Sequence, residues 1–397
     1  MFSQQHELSV VTAVLPSTVA EHVIEVLHAQ AHRAMLVWKA RGTTVRDRWY
    51  ARWLPPISPA KVMLQLVVPQ SDVDAVLATI VTEGRLHMQA TGAVFAVRCE
   101  AALRGSGFAC PGDDYTTGGT DTEHPSDSLR HNLRLLSCVV AHQYSERVGR
   151  AAIEGGAHGP IVHYVEGRGL RDRLGWLRIT KEHEKEVLMV IADEEDAEEI
   201  FDRMASVGEF HLPARGIMYS MEVDKGMFNL PGLISHHHHA ANMQQIINAI
   251  DHLQGHSHWR DQSVFDVGAG GRGAGMKINA PRRSVDNQLS LNTIVRRDDM
   301  DELMAVMLNA GAPGLSMHFS RIAEPQEERV SAASPARVSR EYAHLRCITD
   351  RISAERICQA LEAASSSGKV NDVFAYTTAV PRVAMYVPGK RNYRKAS

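Results

Sequence analysis

Two short stretches of this chain, "GTTVRDRW" (Gly42–Trp49) and "GRGLRDRLGW" (Gly167–Trp176), carry the same pattern. Each begins with glycine, continues through two spacer residues and Val or Leu, and then reads Arg-Asp-Arg. A second pair, "EGRLHMQATGAVF" (Glu83–Phe95) and "VGEFHLPARGIMY" (Val207–Tyr219), aligns at nearly the same spacing. Two independent matches in nearly one register indicate that the chain contains a duplicated module.

Within each copy, strand-like and helix-like patterns follow one order. In the first copy, apolar "LSVVTAVL" (Leu8–Leu15) precedes a helical pattern, two further strands, a second helix and the strand "AVFAV". The third part of the chain, starting from "LSLNTIV" (Leu289–Val295), repeats that order without the loop letters. The order predicts β-α-β-β-α-β, the split ferredoxin-like unit. We therefore predict an α/β protein, an α+β sandwich of three tandem ferredoxin-like modules.

The predicted modules are separated by segments rich in glycine and polar residues. A Gly/Ser/Thr/Asp-rich linker follows the first module, and a connector with one amphipathic helix, a His tract and a Gly-rich loop follows the second. The predicted boundaries are 7–104 for module 1, 105–130 for the linker, 131–230 for module 2, 231–287 for the connector and 288–393 for module 3.

Composition limits the function classes. The chain has 397 residues and a formal net charge of −3, which does not suggest a protein that binds bulk nucleic acid. Its five cysteines are scattered and form no C-x-x-C pair, so we expect a reducing compartment and a cytoplasmic protein. The N-terminus lacks the pattern of a signal peptide, and no apolar run approaches the roughly 18 residues of a transmembrane helix.

The third module carries the letters that point to a known family. Its stretch "ALEAASSSGKVNDVFAYTTAVPRVAMYVPGKR" (Ala360–Arg391) is similar to the second helix, phosphate-binding turn, last strand and terminal turn of PII (nitrogen-regulatory) signal-transduction proteins. Together the three modules resemble this family over nearly the whole chain. The second module looks like shorter PII-like proteins, with Gly167-Arg168-Gly169 at the base of a trimmed signalling loop.

The resemblance implies a regulator and not an enzyme. Family members bind effectors in the clefts between three packed units and act on a partner, a transporter or an enzyme, through the long loop after the second strand. It implies no cofactor, but ATP, ADP, AMP or bicarbonate as effector, no stable nucleic-acid partner and a possible peripheral contact with a membrane protein. With three modules in one chain, we expect a monomeric intrachain pseudo-trimer; the alternative is a homo-trimer between chains.

The candidate ligand-binding residues come from the repeated sequence motifs and from the family resemblance. The Arg-Asp-Arg loops suggest contact with an anion, although a loop that only packs in a cleft is the alternative. Gly92 and Gly216 allow a close backbone approach, to a turn or to a ligand. The resemblance adds the two nucleotide-contacting turns of the third module. The full set is Arg41, Gly42, Arg46, Arg48, Gly92, Gly167, Arg168, Gly169, Arg171, Arg173, Gly216, Ser367, Gly368, Lys369, Asp372, Gly389, Lys390 and Arg391.

Other motifs give weaker hypotheses. No Ser-His-Asp, Cys-His or paired-carboxylate arrangement indicates catalysis, and we predict no metal site. The tract "HHHH" (His236–His239) has no cysteine partner nearby and no fixed zinc-ligand spacing. Two alternatives stay open: a ligand-free interaction protein, favoured because Val373 and Phe374 replace the Gly and Lys of the family's turn, and a metal- or nucleic-acid-binding protein that uses the histidine tracts or the loop around Trp49 and Trp53.

Overall fold

The computed structural model describes residues 3–5, 7–30, 32, 35–42, 60–86, 92–104, 129–169, 184–228, 253, 284–323 and 341–386. Within these residues the chain is a mixed α/β protein, with fifteen strands joined in one sheet by antiparallel pairing and six α-helices. The predicted α/β class is confirmed. The predicted linker and connector fall almost entirely outside the described residues.

The elements run along the chain in three sets. The first set is β1 (Ser3–Gln5), β2 (Leu8–Pro16), α1 (Ser17–Ala29), β3 (Leu36–Gly42), β4 (Ala60–Pro69), α2 (Val73–Glu83), β5 (Ala93–Arg98) and β6 (Ala101–Arg104). The second is β7 (Leu133–Ala141), α3 (His142–Glu154), β8 (His158–Gly169), β9 (Glu184–Asp193), α4 (Glu194–Gly208), β10 (Ile217–Val223) and β11 (Lys225–Met227). The third is β12 (Ser284–Arg296), α5 (Met300–Asn309), β13 (Gly314–Ile322), β14 (Glu341–Thr349), α6 (Arg351–Ser366) and β15 (Phe374–Met385). We refer to β1–β6, β7–β11 and β12–β15, with their helices, as the first, second and third units.

Each unit pairs its four main strands in the same spatial order, fourth-first-third-second. The orders are β5-β2-β4-β3, β10-β7-β9-β8 and β15-β12-β14-β13. The registers are equivalent as well, so each residue of one unit has a counterpart in the other two. This correspondence allows the three units to be compared position by position.

The helices form because their apolar residues recur at helical spacing. In α2, Val73, Val76, Leu77 and Ile80 are all buried and face the sheet. At the start of α6, the Asp350 carboxylate accepts a hydrogen bond of 2.9 Å from the Ser353 backbone N–H. This N-cap stabilises the helix and lowers the pKa of Asp350.

The three units are joined by strands that cross from one to the next. The second strands converge, because β3 pairs with β8 and β13, and β8 also pairs with β13. The last strands of each unit also pair with a strand of another unit. β6 of the first unit pairs with β15 of the third, the end of β15 pairs with β10 of the second, and β11 of the second pairs with β5 of the first. Every unit therefore completes the sheet of another unit.

Apolar residues fill two kinds of core. On the helix side, each unit builds a cluster almost entirely from its own strands and helices, with Leu77, Phe201 and Leu361 as buried members of the first, second and third clusters. On the opposite side of the sheet, residues of all three units share one cluster, exemplified by Phe95, Tyr219 and Val380. The inner faces of the three units therefore meet at a common centre.

Gly92 and Gly216 occupy equivalent positions just before the fourth strand of their units. A Cβ atom would lie 1.9 Å from the carbonyl oxygen of Val14 at Gly92 and 1.9 Å from that of Val139 at Gly216. Only glycine permits this approach, and Gly216 also has a φ of +107°. The close contact that the sequence suggested is made with the first strand of the same unit.

None of the helices in the described ranges is long and apolar enough to cross a membrane.

Candidate functional site

The common centre is polar at the second strands. Trp38, His163 and His318 occupy equivalent positions on β3, β8 and β13, and their rings touch one another. The ring centroids lie 4.7 Å apart for Trp38 and His318, 5.1 Å for the two histidines, and 5.9 Å for Trp38 and His163. His344, on β14, extends this cluster with a centroid distance of 4.8 Å to His318.

Arg346 is the cation of this centre. Its Nε donates to Asn292 Oδ1 at 2.7 Å, and its Nη1 donates to the Tyr219 hydroxyl oxygen at 2.7 Å. Tyr219 belongs to the second unit, so this bond joins two units. The positions equivalent to Arg346 are Gln65 in the first unit and Met189 in the second. The centre therefore holds one arginine where a symmetric assembly would hold three.

Arg346 lies on the wall of a cavity of about 40 Å³. The side chains of all three units line it, including Trp38, Gln65, His163 and Tyr376. The Gln65 amide nitrogen lies 3.3 Å from the Tyr376 hydroxyl oxygen and 3.5 Å from Thr12 Oγ1. The Arg346 side chain is half-buried.

Several polar atoms around the centre have no hydrogen-bond partner among the described residues. They are Trp38 Nε1, Gln65 Oε1, His318 Nε2, and both ring nitrogens of His344. Buried polar groups are normally satisfied by protein or by ordered solvent, so such a concentration of open atoms marks a place where further groups fit.

The three central histidines are neutral at ordinary pH. Burial is the main cause, since it disfavours the charged imidazolium, and the Arg346 guanidinium acts in the same direction. The pKa of His163 falls to about 3, and the pKa values of His318 and His344 fall well below 6.5. Arg346 is therefore the permanent positive charge of the cluster.

A larger cleft of about 700 Å³ lies beside the centre, mainly between the first and third units. It is lined by α1, β3 and β13, with Tyr164 of the second unit at one side. Lys39 and Arg321 supply positive charge, and Phe319 supplies an aromatic face. The Trp38 side chain lines both this cleft and the central cavity, so it stands at the boundary between them.

Arg41, the first of the predicted site residues, lies at the seam between the first two units. Its Nη2 donates to Oε1 of the fully buried Glu186 at 2.7 Å, and His142 Nδ1 lies 2.8 Å from the same oxygen. The guanidinium also stands 6.0 Å from the centroid of the Tyr164 ring. Because Arg41 already has a carboxylate partner, its contact in the structure is between units.

The bases of the two Arg-Asp-Arg loops lie apart. Gly42 pairs with Ile161 near the start of β8, whereas Gly167 and Gly169 pair with β13 at the other end of that strand. At the rise of an extended strand, the two ends are about 20 Å apart. The backbone of Arg168 pairs with Leu315. The loop residues themselves, Arg46, Arg48, Arg171 and Arg173, lie outside the described residues, and so do Gly389, Lys390 and Arg391.

The predicted phosphate turn follows α6. The backbone N–H groups of Ser367, Gly368 and Lys369 donate to carbonyl oxygens of the preceding helix at 3.0 Å each, and Gly368 has a φ of +70°. Asp372 lies 3.6 Å from Arg296 in an ion pair. These backbone donors close the helix end, which leaves the side chain of Lys369 as the group that could reach an anion.

Sequence reasoning missed the central cluster. A signal was present, because Gln65 interrupts the otherwise apolar run "VMLQLVV", and His344 and Arg346 interrupt the strand "AHLRCIT", at positions that an apolar strand would fill with aliphatic residues. Trp38, His163 and His318 are a further signal, because these three ring residues occupy the same position in the second strand of each unit. In addition, the described residues contain no group of three or more His, Cys, Asp or Glu side chains placed to hold a metal ion.

Comparison with known proteins gives no relative that carries an argument. No family model matches the sequence, and no curated protein matches it. An aspartate kinase from Synechocystis aligns over 96% of this chain and 52% of its own, at 10% identity and a TM-score of 0.19, so this chain spans about half of that kinase chain. An anthrone oxidase-like protein aligns over 64% of this chain and 95% of its own, at 9% identity and a TM-score of 0.17.

Proposed function

We propose that this protein is a PII-like regulator made of three ferredoxin-like modules in one chain, which close into an intrachain pseudo-trimer. It binds an adenine nucleotide or a small anion in a cleft between modules and controls a transporter or an enzyme through its loops. The observation that supports this proposal is the cleft of about 700 Å³ at the seam of the first and third units. Its volume falls in the usual range of small-molecule sites.

The chemistry of the cleft suits an anionic ligand with a planar ring. Lys39 forms no ion pair with the described residues, so its ammonium is available to a phosphate or carboxylate. Arg321 is mostly exposed and forms an ion pair with Glu341, with 3.6 Å between Nη2 and Oε1. Phe319 and Tyr164 also line the cleft, and a base could stack on the ring faces that Arg297 and His142 do not cover.

The cleft is also placed to influence a loop. Lys39 lies on β3, and the chain continues from the end of that strand at Gly42 into residues 43–59, which carry the first Arg-Asp-Arg motif. A ligand that holds β3 against β13 favours one conformation of the segment that follows. The extent of control is set by the difference in ligand affinity between the two conformations.

Calorimetry with ATP, ADP, AMP and bicarbonate tests the proposal. We expect saturable binding of at least one of them, weakened roughly ten- to a hundredfold by Lys39→Gln, because a charge-assisted hydrogen bond contributes about 1.5–3 kcal/mol. Lys225→Gln is the matched control, because Lys225 pairs with Asp74 and does not line the cleft, and Lys369→Gln tests the other candidate cation, on the turn after α6. Loss of binding in the Lys369 variant alone would move the site to that turn, and absence of heat with every ligand would exclude the sensor role.

A second candidate is a ligand-free interaction protein with the same fold. It is favoured by one observation, the internal hydrogen bonds that occupy the backbone N–H groups of residues 367–369. Partner capture that is unchanged by all four ligands, together with no binding heat, would select this function. Solution mass separates the two assembly modes: a mass near 43.8 kDa supports the pseudo-trimer, and three times that mass supports assembly between chains.

A further inference from the structure

The strongest unexplained feature lies at the centre and not in the cleft. Arg346 is a half-buried arginine on the wall of the central cavity, and within the described ranges no carboxylate forms an ion pair with it. The groups that accept hydrogen bonds from its guanidinium, Asn292 and Tyr219, are neutral. A buried charge is normally paired, because removing it from water without a counter-charge is strongly unfavourable.

No carboxylate lines the central cavity, and the fully buried carboxylate of the described residues is engaged elsewhere. The fully buried Glu186 is held by Arg41 and His142 at the seam of the first two units. The groups that act electrostatically on Arg346 are the hydroxyls of Tyr219 and Tyr376. The neutral histidines add hydrogen-bonding atoms but no negative charge. The counter-charge of Arg346 is therefore not supplied by the described side chains.

The cavity in front of Arg346 has room for a small ion. Its volume of about 40 Å³ would hold about three water molecules. Trp38 lines the cavity, and its indole N–H has no acceptor among the described residues. The Gln65 carbonyl oxygen is equally unpartnered, and a 180° rotation of the amide would place its NH₂ there while the oxygen accepts from the Thr12 and Tyr376 hydroxyls.

We propose that this central cavity binds one small monovalent anion, of the halide, nitrate or bicarbonate class, held by Arg346, the Trp38 N–H and the Gln65 amide. One fixed cation balances one negative charge. The small volume excludes nucleotides and larger organic acids. The proposal does not rest on the proposed function, since Arg346 and Gln65 line only the central cavity, although Trp38 lines both that cavity and the effector cleft.

Thermal unfolding at constant ionic strength tests this proposal. We expect replacement of sodium gluconate, whose anion is too large for the cavity, by chloride, nitrate or bicarbonate to raise the melting temperature in a saturable way. Arg346→Met should weaken the apparent anion affinity at least tenfold. Arg382→Met is the matched control, because Arg382 is a similarly enclosed arginine that already pairs with Glu198 and Asp202. Equal melting temperatures in chloride and gluconate would overturn the proposal, as would an unchanged response in Arg346→Met.

A second measurement keeps the proposal falsifiable if the Arg346 variant does not fold. In crystals of the wild-type protein grown in sodium bromide, we expect an anomalous difference peak within hydrogen-bond distance of the Arg346 guanidinium. Bromide at this position in the wild type, and its loss in Trp38→Phe, would support the assignment of both donors. A cavity that holds only water in saturating bromide would exclude an anion site.

Discussion

The two faces of the sheet differ in what they contain. On the helix side, each unit packs its own aliphatic residues against its own helices, as Leu77 does in the first unit. On the inner side, the same strands present Trp38, Gln65, His344 and Arg346 to a centre shared by all three units. The helix side stabilises each unit, whereas the inner side is where the units recognise one another and where polar atoms lack partners.

The helix side should show the largest mutational effect. Leu77→Ala leaves a cavity under α2, because Leu77 is fully buried among aliphatic neighbours. We expect a loss of about 2–5 kcal/mol in the free energy of unfolding, measured in urea. Ile352→Ala is the control, since the Ile352 side chain is 74% exposed and its removal should cost little. A Leu77 variant as stable as wild type would show that the helix side is not the main source of stability.

At the centre, Tyr219→Phe should have a smaller but clear effect. This change removes the oxygen that accepts from Arg346 Nη1 and leaves a donor of the guanidinium unsatisfied. We expect a loss of about 1–3 kcal/mol in urea unfolding. Tyr164→Phe provides the matched control, because Tyr164 is 57% exposed and the change should leave the stability unchanged. If both variants unfold alike, the Arg346 bond does not contribute to stability.

The central histidines predict a pH dependence. Their folded pKa values lie below the unfolded value of about 6.5, so the unfolded chain binds more protons below that pH and stability falls as pH falls. Each histidine contributes about 1.4 kcal/mol per pH unit below 6.5, until its own folded pKa is reached. His344→Phe should make the stability profile between pH 6.5 and 5 shallower by that amount. An unaltered slope in His344→Phe would refute a neutral central histidine.

The smallest effect is expected at the surface, where units also touch. Lys225 Nζ lies 2.6 Å from Asp74 Oδ1, and the pair links β11 of the second unit to α2 of the first. The Asp74 side chain is 63% exposed. A double-mutant cycle with Lys225→Ala and Asp74→Ala should give a coupling of about 0.2–1 kcal/mol that decreases in high salt. A larger coupling would mean that this surface contact between units contributes as much to stability as the Arg346–Tyr219 bond at the centre.

The sequence predicts the two faces unequally. The order of strands and helices and the apolar face of α2 follow from hydrophobic periodicities within one unit. They can therefore be predicted from residues that lie close together in the sequence. The centre depends on which faces of three distant segments meet, and no local period specifies this. Gln65 and Arg346 are polar residues within strand-like stretches and so indicate a polar environment. The sequence does not show the partners of Arg346, because Asn292 lies on another strand and Tyr219 lies in another unit. The cleft likewise needs side chains from β3 and β13, far apart in the sequence.

The exchange of end strands has a consequence for synthesis. β6 pairs with β1 on one edge and with β15 on the other, and β15 is the last of these strands to be made, although β6 is synthesised when about a quarter of the chain exists. Until β15 is made, this second edge of β6 is unpaired, and an open strand edge is a template for association with other chains. The nascent protein must therefore protect an early edge for most of its translation, and a chain truncated before β15 should aggregate even though its first two units are complete.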